Sequence, residues 1–279
     1  MNQTKTLLLL AGMTGVLVWI GGYYGGQSGM VMALVIGLVM NGVSYFFSDK
    51  IVLASYGARV VAQAEAPELY AIVANLAQRA GLPMPRIAII PEDTPNAFAT
   101  GRDPEHAVVA VTEGIMRILS RPELEAVIGH ELGHVKHRDI LIGSLAAVLA
   151  QAIMFLSRMA LWISPRDEEG RSNPLAGIAI MILGPLAAIL LQMAVSRSRE
   201  YLADDYSAHL TGRPDMLASA LERLQAYNLQ LPMQSAQPAT AHMMIVNPLS
   251  AGGLMSLFST HPPMEVRVER LRRMPIEAR

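Results

Sequence analysis

The sequence predicts a mainly α-helical integral-membrane protein, with four transmembrane helices carrying a small α+β domain on one side of the bilayer. Three observations predict it. Apolar residues are bunched into blocks of spanning length, so only 16% of the 279 residues are charged and the mean hydropathy is +0.34. Helix- and strand-patterned sequence separates the second block from the third. The polar remainder follows the fourth block as helices rich in charge.

The blocks run from Leu7 to about Tyr24, Met30 to Phe47, Ile140 to Ile163 and Leu175 to Val195, each near the ~20 residues a helix needs to cross the hydrocarbon core. Lys5 precedes the first block as in a signal peptide. A second block follows almost at once with no small-residue cleavage site between them, so an uncleaved anchor is expected. The first two blocks form a hairpin through the uncharged Gly25-Gly26-Gln27-Ser28-Gly29. Arg158 lies close enough to the end of the third block to snorkel, and Pro185 kinks the fourth without ending it.

Four crossings leave Ser48 to Asp139 and both chain ends on one side. Of the 22 Lys and Arg, Arg166 and Arg171 alone fall in the opposite loop, beside Asp167, Glu168 and Glu169. The positive-inside rule therefore puts the polar bulk in the cytoplasm. The expected division is 1–48, a transmembrane hairpin; 49–139, the first part of the cytoplasmic domain; 140–195, a second transmembrane hairpin; and 196–279, the second cytoplasmic part. Zero cysteines suits a reducing compartment and excludes thiolate ligands or a cysteine nucleophile. A net charge of -1 without a basic tract excludes nucleic acid as a partner.

Within the polar domain, Glu68 to Ala80 reads as an amphipathic helix ended by Gly81, with Leu69, Ile72, Val73 and Leu76 on one face. Arg86 to Ile90 and His106 to Val111 read as strands, joined by a polar connection from Pro91 to Asp103. Ser120 and Glu123 form a capping box with Pro122 in the first turn, and Leu124, Val127, Ile128, Leu132 and Val135 continue at helical spacing. This helix is expected to run straight into the third block. Ser196 to about Thr211, Pro214 to Leu229 and Pro263 to Met274 read as further helices. Leu231 to Ser259 shows no period and is expected to be a mobile or lipid-facing loop.

The capped helix carries His130-Glu131-Leu132-Gly133-His134. Residues four apart share a helix face, so both imidazoles can reach one zinc ion while Glu131 addresses the attacking water, the core of a metalloprotease site. A catalytic zinc needs a third protein ligand. His137 fails on distance, since it stands about 10 Å along the axis from His130. On a continuous helix, His134 places the ion about 9 Å above the apolar zone that starts at Ile140. The fourth block returns antiparallel, and five residues beyond Val195 the chain has risen roughly 7.5 Å, at Glu200. Two imidazoles with one carboxylate form a standard catalytic zinc set. Asp204 lies one turn beyond Glu200 on the same face and is placed to hold a ligating histidine in one tautomer, whereas Asp205 points away.

This helix, the Ser196-Arg197-Ser198-Arg199-Glu200-Tyr201-Leu202-Ala203-Asp204 run, the two leading blocks, Pro95-Asn96-Ala97-Phe98-Ala99-Thr100-Gly101 and Thr260-His261-Pro262-Pro263 together resemble the HtpX family. These are integral-membrane zinc metalloproteases related to the CAAX prenyl endopeptidases. The resemblance covers nearly the whole chain and implies a gluzincin-like cytoplasmic protease domain. It implies a role in bacterial inner-membrane quality control, often stress-induced, in which misfolded or damaged membrane proteins are cut on the cytoplasmic side. It also implies that Asn96, Ala97, Phe98 and Ala99 form an edge segment that pairs with an extended substrate backbone; a simple polar turn is the alternative. By the same resemblance His261 approaches the open face of the zinc, either donating to the developing oxyanion or occluding the metal; a histidine that merely precedes the last helix is the alternative. Arg267 is expected to pack or pair that helix. Two other functions remain open at this level: a zinc-bound membrane chaperone without proteolysis, and an intramembrane-cleaving protease. The charges of Arg121, Glu123, Glu125, Lys136, Arg138 and Asp139 around the motif speak against the second.

Overall fold

The structure, a computed structural model, describes residues 2–163, 197–230, 233, 235–237, 239–247 and 262–275. The expected fourth spanning helix, Leu175 to Val195, and His261 lie outside the described residues.

Helix α1 (Asn2–Ser55) is two apolar helices joined at Gly26, whose φ of 56° and ψ of -144° break the helical path. Glycine adopts that conformation without a Cβ clash. The halves fold back on each other. Gly21 meets Gly29 so closely that a Cβ on Gly21 would lie 2.4 Å from the Gly29 carbonyl oxygen. Further along, Gly37 packs on Thr14, and Asn41 Nδ2 donates to Leu10 O at 3.1 Å and Thr14 Oγ1 at 2.9 Å. Thr6–Tyr23 and Gly25–Ser55 are long and apolar enough to cross a membrane. Their outer faces leave Leu7, Trp19, Val31 and Leu38 exposed.

The α+β unit holds one sheet of order β1-β2-β4-β3. Its strands are β1 (Arg59–Val60), β2 (Arg86–Ile90), β3 (Ala97–Thr100) and β4 (Val108–Thr112). The β2–β4 pair is parallel and the others are antiparallel. Strand β3, four buried residues inside the expected polar connection, carries no alternation long enough to read from sequence. Strand β4 starts at Val108 rather than His106, because Pro104–His106 close a 3-10 turn in which Asp103 Oδ1 accepts from His106 N–H at 2.8 Å. Ile87, Val109 and Val111 face helix α2 (Pro67–Ala80), which Gly81 stops at a φ of 61°. Ala88, Ile90, Phe98, Val108 and Ala110 face Val52, Leu53 and Tyr56 at the end of α1. Apolar cover on both faces explains why these strands read as continuous runs of Val, Ile and Ala.

After α3 (Glu113–Ile118), helix α4 (Arg121–Lys136) starts with the expected capping box: Ser120 N–H and Oγ–H donate to Glu123 Oε2 at 2.8 and 2.7 Å. Helices α6 (Arg197–Thr211) and α7 (Pro214–Gln230) pack on α4, and α8 (Met264–Arg272) packs on α7.

Two expectations are corrected. Helix α4 does not run straight into the third apolar block. Helix α5 (Ile140–Ile163) departs at 88° through Arg138, whose φ is 57°. The N–H groups of His137, Arg138 and Asp139 satisfy the carbonyls of Gly133, Val135 and His134, closing the helix end. Beyond the corner, Ile142, Leu145 and Leu149 bury themselves with Leu9 of α1, and the Ser144 and Thr100 hydroxyls meet at 2.7 Å. These contacts hold α5 to the hairpin and sheet rather than in line with α4. The second correction concerns Leu231 to Ser259. Its described residues 239–247 form a buried strap with a 3-10 turn at Ala241–Met243. Thr240, Ala241 and Met244 are fully buried, and the Tyr56 and Thr240 hydroxyls meet at 2.5 Å. The strap faces the protein because Met244 joins the apolar cluster of Phe98 and Ile90.

Candidate active site

Small residues bring α6 onto α4. A Cβ on Gly133 would meet Ala203 Cα at 3.1 Å, one on Gly129 would meet Ser207 Oγ at 2.9 Å, and Ser207 Oγ donates to Ala126 O at 2.6 Å. This close approach carries Glu200 to the face that holds His130 and His134. The two Nε2 atoms stand 3.2 Å apart, His134 Nε2 is 3.5 Å from Glu200 Oε1, and His130 Nε2 is 3.8 Å from Glu200 Oε2. A tetrahedral ion with ligands at about 2.05 Å separates neighbouring donors by about 3.3 Å. The three side chains therefore fit one small cation without rearrangement.

The supporting groups fix which ring nitrogens face that point. His130 Nδ1–H donates to Asp204 Oδ1 at 2.9 Å, which leaves the Nε2 lone pair directed at Glu200 and His134. Arg267 of α8 is fully buried and grips Asp204 with two parallel bonds, Nε to Oδ2 at 2.9 Å and Nη2 to Oδ1 at 2.7 Å. Its Nη1 donates to Ile245 O at 3.1 Å and lies 3.6 Å from Glu200 Oε2. On the other side, His134 Nδ1 lies 3.5 Å from Asp139 Oδ2, and Arg199 stands 3.6 Å from Asp139 Oδ1. Both aspartates take the place behind a histidine that ligating imidazoles favour.

Charge balance follows from burial. Burial pushes the Glu131 carboxyl up to about 7; Glu200 adds to this, while His134, Arg267 and the Ala99 N–H, which donates to it, oppose. Burial pulls the His134 imidazolium down, but Asp139, Glu200 and Glu131 more than reverse this and raise it to about 9. For His130, burial outweighs Asp204 and lowers it. Burial likewise works against the Asp204 carboxylate, yet Arg267 and His130 hold it below the usual range. Arg267 is raised despite burial by Asp204, Glu200 and Glu131.

The structure thus places His130, Glu131, His134, Glu200 and Asp204 together. Ala99 lines the same pocket as His130, Glu131, His134 and Glu200, and β3 is the outer strand of the sheet. Asn96, Ala97 and Phe98 lie farther along that edge; Phe98 points into the core, stacked obliquely on Tyr56 at 5.7 Å between centroids. His137 is exposed at the end of α4 against the Tyr206 ring, and Asp205 pairs with Arg270. Three features escaped the sequence reading. Arg267 is bound into the site rather than merely pairing its helix, Asp139 reaches back to His134 from the corner, and His242 to Ile245 wall the pocket.

A family model described as Peptidase family M48 matches residues 63–275. A "Protease HtpX homolog" from Desulforapulum autotrophicum is 55% identical over 277 residues, covering 97% of this chain and 89% of the relative. Another from Syntrophobacter fumaroxidans is 53% identical over 280 residues, covering 98% and 99%, and one from Pyrococcus furiosus is 55% identical over 277 residues, covering 98% and 96%. Among solved structures, the crystal structure of S. mikatae Ste24p superposes with a TM-score of 0.50 at 18% identity over 97% of this chain, which shows the shared fold; the chain spans 65% of that structure's length. The resemblance carried by the motifs therefore holds across the chain, and with it the activity of a membrane-bound metalloprotease. The chain belongs to peptidase family M48.

Proposed function

We propose that this protease is a zinc endopeptidase that cuts misfolded or damaged membrane proteins at the cytoplasmic face of a bacterial inner membrane, as part of a stress response. The observation that carries it is the convergence of His130, His134, Glu200 and Glu131 on one pocket. In this reading His130 Nε2, His134 Nε2 and a Glu200 carboxylate oxygen hold one zinc ion, with Asp204 behind His130. When bound, zinc supplies Lewis acidity to a peptide carbonyl and to water. Glu131 accepts a proton from the attacking water and passes it to the leaving amine, its carboxylate held in place by the Ala99 N–H. Asn96 to Ala99 form the substrate edge, and His261 serves at the open face as oxyanion donor or as occluding group.

The proposed topology has four spans: the two halves of α1, the third apolar block and Leu175 to Val195. Residues 1–48 and 140–195 form the membrane hairpins, and 49–139 and 196–279 the two parts of the cytoplasmic domain. The one-sided distribution of Lys and Arg supports this orientation. The charges flanking the motif support a site above the hydrocarbon core.

The test is digestion of a misfolded membrane protein in vesicles by wild type and Glu131→Gln, with bound metal measured in both. The expected result is unchanged zinc with cleavage reduced by about 10³-fold or more. Cleavage by Glu131→Gln at the wild-type rate sinks the mechanism, and cuts deep inside a transmembrane segment sink the location.

A further inference from the structure

Apart from Lys5, helix α1 carries no charge until Asp49 and Lys50, so the apolar run ends there. Tyr45, Phe46 and Phe47 come just before them, and tyrosine is enriched where a membrane meets water. Phe46, Phe47, Asp49 and Lys50 line an open cavity of about 440 Å³ with Arg86, Arg102 and His106. Both phenylalanines are exposed. Two of the cations stand over their rings: Lys50 Nζ is 5.2 Å from the Phe47 centroid, and Arg102 Cζ is 5.6 Å from that of Phe46. A helical side chain leans toward the N-terminus of its helix, which directs Lys50 back along α1 toward the apolar run. A lysine at the end of a span ordinarily extends its amine the other way, into water. Arg86 donates to Asp49 and ties β2 to α1. Arg102 Nη2 donates to His106 Nε2 at 2.5 Å, and His106 Nδ1–H donates to Asp103 Oδ1 at 2.5 Å, an arrangement in which the imidazole is neutral. Arg102 Nε lies 3.4 Å from Asp103 Oδ2. Among the described residues no carboxylate pairs with Lys50. Three cations against two carboxylates leave the group with one positive charge, and Glu105 of the same turn lies outside the cavity.

We propose that this cavity binds one anionic phospholipid. Its phosphodiester lies among Lys50, Arg86 and Arg102, and its glycerol and acyl chains pass along the rings of Phe46 and Phe47. The inference needs α1 to cross a bilayer and is independent of how the protease acts. A single negative charge matches the surplus cation, and the guanidinium forks offer paired donors to phosphate oxygens. The combination of groups selects the ligand. A soluble phosphate uses the cations and leaves the rings in water, whereas a lipid of zero net charge uses the rings and leaves the surplus charge unmatched. Once bound, the lipid joins three parts of the chain: the end of α1, Arg86 at the start of β2, and Arg102, two residues beyond β3. It therefore ties to the bilayer the strand that carries Ala99 into the active-site pocket.

The test is native mass spectrometry of the full-length Glu131→Gln protein in detergent, titrated with dioleoylphosphatidylglycerol. The comparison ligands are the choline lipid with the same chains and the deacylated headgroup, glycerophosphoglycerol. The glycerol lipid is expected to bind about five-fold more tightly than the choline lipid or better, and the free headgroup not to bind at the same concentrations. Lys50→Ala and Arg102→Ala should each weaken the first complex about five-fold, and together about thirty-fold, at unchanged melting temperature. Lys50→Arg keeps the charge and should stay within about two-fold. Arg121→Ala removes an equal charge from the exposed start of α4, where Arg121 pairs with Glu125, and should change nothing. Lys50 is exposed, so Lys50→Ala alone decides the matter if Arg102→Ala unfolds its turn. Wild-type affinity in Lys50→Ala overturns the proposal, as does equal weakening by Arg121→Ala, which is attraction to net charge alone. Equal affinity for the choline lipid overturns the anionic requirement, and binding of glycerophosphoglycerol as tightly as the lipid makes the site one for soluble phosphates instead.

Discussion

His130 and His134 point at one spot from one helix, yet the protein holds them in different ways. His130 and Asp204 are each 1% exposed in their side chains, and Arg267 behind them is fully buried. Three helices, α4, α6 and α8, contribute to that side, and every polar contact in it is dry. The His134 side chain is 18% exposed, its carboxylate neighbour stands 3.5 Å away, and that neighbour comes from the corner only five residues along the same chain. A dry network of buried charges tolerates no missing partner, because whatever is left unpaired cannot find water. The half-open side can readjust. One imidazole is thus a fixed reference for the site, and the other is partly open to solvent.

Substitutions on the two sides break or sharpen that contrast. Arg267→Leu leaves Asp204 and Glu200 buried without their counter-charge, and a loss of about 3–5 kcal/mol in stability is expected, read as a lower melting temperature in detergent together with loss of bound metal. Asp204→Asn keeps the shape but removes the charge that orients His130. Metal affinity is expected to fall by about 10–100-fold, measured by competition with a chelator. Asp139→Asn removes the longer, more exposed contact to His134, and the same competition should register a change of less than about ten-fold. If Asp139→Asn costs as much as Asp204→Asn, the two sides are equivalent and the contrast is wrong. If Arg267→Leu leaves melting and metal content untouched, the dry side owes nothing to its clamp.

The legible parts of this molecule are those whose spacing is set by a single element. The capping box at Ser120, the shared face of His130 and His134, and the register of Asp204 behind Glu200 all follow from helical periodicity. Heights compared on two continuous helices put Glu200 beside the histidines. It does lie there, but α4 bends by 88° before the apolar block, so those heights do not measure the structure. What brings Glu200 in is close packing at Gly129, Gly133, Ala203 and Ser207, a small-residue pattern that the sequence does carry. Arg267 and the strap were illegible for another reason. Arg267 meets Asp204 across 63 residues of chain, and Ile245 meets Ala97 across a still longer gap. No period links partners that far apart, and a buried arginine looks like any other in a basic helix. Strand β3, at four residues, is too short for its alternation to stand out from a turn.

The clamp on Asp204 also sets an order in time. His130, Glu131 and His134 leave the ribosome before the last apolar block, Glu200 and Asp204 follow it, and Arg267 comes later still. A nascent chain that ends anywhere before residue 267 lacks the cation that makes the buried acids Asp204 and Glu200 tolerable. The same chain lacks the strap until residue 246 has been made. The clamp on the buried acids and the segment that walls the pocket are therefore both present only once residue 267 has been made.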